Sequence, residues 1–166
     1  MILGMSSAAF TLLHVIISLI AIVAGAVVAF GMRRAQRLSG WTALFLATTI
    51  LTSVTGFFFH SKSFGPPHVV GVISLVILAA ALVALYGYHL AGVWRALYVV
   101  TALAAFYLNT FVLVTQLFAK VPALKALAPN GSEPPFALAQ LLVLGAFVAL
   151  GISAVRRFRP AAPLPA

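Results

Sequence analysis

Almost all of the acid–base and metal-binding capacity of this chain rests on four histidines and one carboxylate. The histidines are His14, His60, His68 and His89, and the carboxylate is Glu133. There is no cysteine and no aspartate. Thiolate metal sites, thiol nucleophiles and disulfides are therefore excluded. Paired-carboxylate catalysis needs two acids in one site and is excluded too. So are carboxylate cages for Mg²⁺ or Ca²⁺. A Ser–His–Asp triad would need Glu133 as its third member. Phosphate-binding glycine loops, a G-x-S-x-G elbow and an H-E-x-x-H zinc motif are all missing from the sequence.

Imidazoles without thiolates suit Zn²⁺ or Cu²⁺. Two of them on different helices at one depth could clamp the iron of a haem b. His14, His60 and His68 are the candidates for such a ligand set. His60 and His68 are joined by a short loop stiffened by Pro66 and Pro67. Glu133 joins them as the sole carboxylate that a folded-over loop could bring near. His89 sits with Tyr86 and Tyr88 without a histidine at its depth, and reads as part of an interfacial aromatic belt.

Polar residues at helical spacing extend the pattern. Thr11, His14, Ser18, Ala21 and Gly25 share one helix face, as do Thr49, Ser53, Gly56 and His60. Ala102, Ala105, Asn109, Val112 and Gln116 share another, and Gln140 opens the last apolar stretch. Thr11, Ser18, Ser53, Asn109, Gln116 and Gln140 are accordingly expected to line a pocket with the histidines. The plainer alternative is that small and polar stripes are helix-packing surfaces, and Ala21-x-x-x-Gly25-x-x-x-Ala29 needs only close backbone approach.

The elements that must hold these residues are membrane helices. Of 166 residues 64% are hydrophobic and 7% charged, against roughly a quarter charged in soluble domains. Apolar stretches fall at about 8–32, 41–59, 68–91, 96–119 and 136–155, each near the ~20 residues a spanning helix requires. Backbone groups in lipid must pair internally, and stretches such as Val69–Leu85 lack the alternation of a barrel strand. The expected fold is all-α: a single bundle over 1–159 with five transmembrane helices, and a disordered Pro/Ala tail over 160–166. Between the fourth and fifth stretches, Val121, Leu124 and Leu127 suggest a short interfacial helix, and Asn130-Gly131 a turn.

Charge sets the orientation. With the N-terminus outside, Arg33, Arg34, Arg37, Arg95, Arg156, Arg157 and Arg159 lie in the cytoplasm, and Lys62, Lys120 and Lys125 outside. That is the sense of the positive-inside bias. The +9 net charge is thus expected to meet anionic headgroups at the cytoplasmic face, and no nucleic acid. The first stretch has no cation before it, which marks a retained N-out helix and no cleaved signal peptide.

The expected localisation is a bacterial-type inner (plasma) membrane. The expected function is a small ligand-binding membrane protein with an outward-facing polar pocket for a divalent transition metal, a haem or a lipophilic molecule. The alternatives are an accessory or structural subunit of a larger membrane complex, and a small transporter acting as an oligomer. An enzyme using a histidine base ranks last.

Overall fold

The computed structural model describes residues 2, 4–59 and 65–159. Its helices start where the sequence supplies a start signal. Ser6 caps α1 (Ser7–Arg33), its hydroxyl accepting from the Ala9 N–H at 3.2 Å. Prolines open α3 (Pro66–Leu82), the short α5 (Pro122–Leu127) and α6 (Pro134–Arg157), where a missing N–H costs no helical bond. Helix α2 covers Ser39–Gly56 and α4 covers Val93–Lys120. The end of α3 loosens into a π-helical turn over Val83–Gly87. The chain then reverses through positive φ at His89, Leu90 and Gly92, and Tyr88 stacks on Trp94 with ring centroids 3.7 Å apart.

Four helical segments are long and apolar enough to cross a membrane, not the five expected: Ser7–Arg33, Pro66–Gly87, Val93–Lys120 and Pro134–Arg157. The stretch expected as the second span is α2, which falls short. It has 18 residues, seven of them Ser or Thr. Its length is about 27 Å, somewhat less than the ~30 Å hydrocarbon layer. The apolar residues that suggested a span are present, but hydroxyls dilute them. Those hydroxyls face inward: Thr42, Thr48, Thr49 and Ser53 are buried, while Leu44, Leu51 and Val54 are exposed.

Helices α1, α2, α3 and α4 pack in a ring, each against the next and α4 back against α1. Helix α6 lies in the outer groove between α4 and α1. Its two ends are fixed by contacts with α4. Phe136 meets Phe118 edge-on at 5.4 Å, and at the opposite end Arg95 donates to the carbonyls of Val155 and Phe158. A guanidinium is well placed there, because the last carbonyls of a helix lack intrahelical partners and carry partial negative charge.

The bundle is therefore divided lengthwise. Toward the arginine end lies an apolar core of Val28, Met32, Leu78, Leu85, Tyr98, Phe106 and Phe158 with buried alanines. Gly25 is what lets α1 close on it, since a Cβ there would lie 2.7 Å from Phe106 Cδ2 and 3.1 Å from Phe45. Toward the other end, where His14 and His68 lie, the interior contacts turn polar.

Candidate functional site

His14 sits two turns into α1 and is half-buried. Its Nδ1 is 2.7 Å from the Oγ1 of Thr55 near the end of α2. That hydroxyl donates its own hydrogen to the carbonyls of Leu51 (2.6 Å) and Thr52 (3.2 Å). It has no second hydrogen, so His14 must be the donor and Nδ1 carries the proton. In the neutral ring Nε2 is then a bare lone pair. This is the arrangement by which a neighbouring acceptor orients a histidine toward a ligand. The ring also meets Phe59 edge-on at 5.1 Å, and α2 passes close enough that a Cβ on Gly56 would be 4.0 Å from His14 Cε1.

His68 is prepared differently. It occupies the third position of α3, and its Nδ1 accepts from the Gly65 N–H at 3.2 Å, capping the helix start. An accepting Nδ1 leaves the proton of the neutral ring on Nε2. The ring packs against Phe57 at 5.8 Å, and Phe57 in turn covers Gly71. His14 and His68 thus stand on the two helices that flank α2, each against a different phenylalanine of its C-terminal turn. His60 lies outside the described residues. Among the described residues no group of three His, Asp or Glu side chains comes together in a way that could hold a metal.

The remaining candidates divide into three kinds. Some join helices. Ser53 donates to both the Thr49 carbonyl and Ser74 Oγ, each at 3.0 Å. Asn109 donates to Thr49 Oγ1 at 3.3 Å, and Gln140 to the Phe111 carbonyl at 3.1 Å and Thr115 Oγ1 at 3.2 Å. Others satisfy themselves locally: Thr11 bonds the Ser7 carbonyl and Ser18 the His14 carbonyl, each one turn back. Gln116, expected to line the pocket, is exposed. Helix α2 runs parallel to α4 and ends at Gly56, seven residues beyond the Thr49 that faces Asn109. The stripe therefore loses its facing helix at the level of Gln116.

Among the described residues Glu133 makes no contact with a histidine. It precedes α6, and its oxygens accept from the Asn130 N–H (3.0 Å), the Asn130 amide (2.8 Å) and the Ser132 N–H (3.0 Å). These bonds, the Asn130 N–H foremost, hold its carboxyl below the usual carboxylate range. Its role is to close the loop between α5 and α6.

Sequence reasoning undervalued three partners. Thr55 and Thr115 were two hydroxyls among many. Ser74 carried a signal, being the sole hydroxyl in the apolar run Val69–Leu85. Two buried polar atoms find no protein partner among the described residues: Thr52 Oγ1 and Gln140 Oε1. Both lie in the polar half.

The chain matches no protein-family model, no characterised protein and no solved structure. The chemistry at this end is thus argued from its own geometry. The arrangement can accept a hydrogen bond or a metal ion at His14 Nε2 and, among the described residues, accept at the oxygens of Thr52 and Gln140.

Proposed function

We propose that this multi-pass helical membrane protein holds a small ligand at its histidine end, with His14 Nε2 as the receiving atom. The observation that carries the reading is the Nδ1–H bond of His14 to Thr55. It leaves Nε2 of a half-buried imidazole as an acceptor at the polar end of the bundle. The unpaired oxygens of Thr52 and Gln140 in the same half support it. A first-row transition metal or a haem iron would take His14 as one ligand. A polar organic molecule would donate a hydrogen bond to it. A metal shared with His68 would require that residue to give up either its cap or its Nε2 proton, so the metal reading rests on His14 first.

In this reading the histidine end faces outward and the arginine end faces the cytoplasm of a bacterial-type inner membrane, with anionic lipid headgroups around the arginines. Helix α2, itself a member of the ring, carries the chain back between α1 and α3, with its hydroxyls inward and Leu44, Leu51 and Val54 outward. Metal analysis and a visible spectrum of the detergent-purified protein test the reading. Bound Zn, Cu or haem that is lost in His14→Ala and kept in His89→Ala would support it. A metal-free, colourless protein whose His14 ring signals respond to no added metal or haem would remove the metal and haem forms.

A second reading is an accessory subunit of a membrane complex. It is favoured by α6, the least covered of the four long apolar helices, with Leu138, Leu141, Leu142 and Val148 exposed. A partner that co-purifies in fixed ratio and is lost on Leu142→Trp would put this reading first.

A further inference from the structure

The face of α6 at the arginine end carries a positive charge with no carboxylate beside it among the described residues. Ala149, Ile152, Ser153, Arg156 and Arg157 line a groove of about 480 Å³. Their spacing places them on one face, two turns of apolar and small side chains ending in two guanidiniums. The chain has one side-chain carboxylate, Glu133, against ten Lys and Arg. Glu133 sits 23 residues before Arg156, about 35 Å away along the helix, with its oxygens already bonded in its own loop. No side-chain carboxylate of the chain is therefore within reach of Arg156 and Arg157.

We propose that this groove binds one anionic phospholipid, its phosphate held by Arg156 and Arg157, its glycerol backbone at Ser153 and an acyl chain along Ile152 and Ala149. Three observations point to a lipid over a free anion. Ala149 and Ile152 give the groove an apolar strip away from the arginines, and it continues up the exposed Val148 of a helix of membrane-spanning length. The guanidiniums stand at the end of a membrane-length helix, at the depth of headgroups. The helix end is also held rigidly, because Arg95 binds the carbonyls of Val155 and Phe158, and Phe158 is buried. Arginine suits the task, since its planar fork pairs with two phosphate oxygens at once. The inference does not depend on any ligand at the histidine end.

The test is native mass spectrometry of the full chain released from nanodiscs of equal parts dioleoyl phosphatidylglycerol and dioleoyl phosphatidylcholine. The expected result is one retained phosphatidylglycerol, preferred on the order of tenfold. The preference should vanish in Arg156→Gln/Arg157→Gln, persist in Arg156→Lys/Arg157→Lys at reduced strength, and persist in Arg33→Gln/Arg34→Gln. Circular dichroism would confirm that each variant keeps its helices. Equal retention of both lipids would overturn the proposal. So would a preference lost equally in the Arg33/Arg34 variant, since the effect would then be diffuse charge. Displacement of the lipid by millimolar inorganic phosphate would also overturn it, showing that the site reads the anion without the chain.

Discussion

His14 and Thr55, 41 residues apart, meet at 2.7 Å through a bond whose direction is fixed by the threonine's own commitment to the Leu51 carbonyl. A crossing of two helices thereby settles the protonation state of one ring nitrogen. That choice decides what the other nitrogen can do.

The first prediction follows from it. Nitrogen-15 spectra of the imidazole should show the Nδ1–H tautomer for neutral His14 and the Nε2–H tautomer for neutral His68. Thr55→Val removes the acceptor and should release His14 into a mixture of tautomers while leaving His68 unchanged. A His14 that is Nε2–H in the parent protein would remove the basis of the proposed ligand site.

The second concerns the joint between α1 and the core. Gly25→Ala would bring a methyl carbon to 2.7 Å from Phe106. That ring is fenced by Phe45 at 6.3 Å and Phe147 at 4.8 Å, so it cannot swing away freely. The expected loss is about 1–3 kcal/mol of stability, seen as an earlier unfolding transition in mixed detergent. Gly145→Ala is the control: a Cβ there meets nothing within 4 Å, so its stability should be unchanged or slightly raised by the better helix propensity.

How much of this could be read in the sequence depends on which force set it. The long apolar helices were legible because burial in lipid leaves one solution for the backbone, and the stretches read at about 8–32, 68–91, 96–119 and 136–155 fall close to the four observed. Helix α2 was overcounted because its leucines read as a span, while the hydroxyls that thin its hydropathy are the side chains it buries. The stripes on α2 and α4 placed Ser53 and Asn109 in contact with neighbouring helices, since helical period sets the face. The same rule misplaced Gln116, because period does not say where the neighbouring helix ends. The tautomers of His14 and His68 were beyond sequence reasoning: each depends on one partner, a threonine on another helix in the first case and a backbone N–H in the second.

The third prediction is a pH effect confined to the α5–α6 loop. Folding lowers the pKa of Glu133 from its ordinary 4.5, chiefly through the Asn130 N–H. A depressed carboxylate stabilises the folded loop fully above its unfolded pKa, and that contribution is lost as pH falls through the lower, folded value. Amide exchange at Asn130 and Ser132 should therefore be protected at pH 6 and accelerate, beyond the intrinsic pH trend, below about pH 4. Glu133→Gln should show the weaker protection at both pH values. Equal protection in parent and variant at pH 6 would mean that the carboxylate does not hold the loop.

The last prediction concerns Gln140, which is buried at the seam between α6 and α4. Its amide nitrogen donates to the Phe111 carbonyl and to Thr115, but its Oε1 has no partner among the described residues. The Phe111 carbonyl also accepts from Thr115 Oγ1 at 2.9 Å, so it keeps a partner if the glutamine is removed. Gln140→Leu therefore deletes two interhelical bonds, each worth about 0.6 kcal/mol in membrane bundles. It also deletes one desolvated acceptor, a cost of about 1–3 kcal/mol. With side-chain volume nearly conserved, the two terms favour a variant as stable as the parent or slightly more so. Gln140→Ala should be less stable than Gln140→Leu, because it leaves space between the helices as well. Unfolding in mixed detergent, run on the protein as purified and again after exhaustive delipidation, separates the possibilities. If Gln140→Leu costs more than about 1.5 kcal/mol only before delipidation, Oε1 is held by a bound molecule, and Gln140 belongs with His14 in the ligand site.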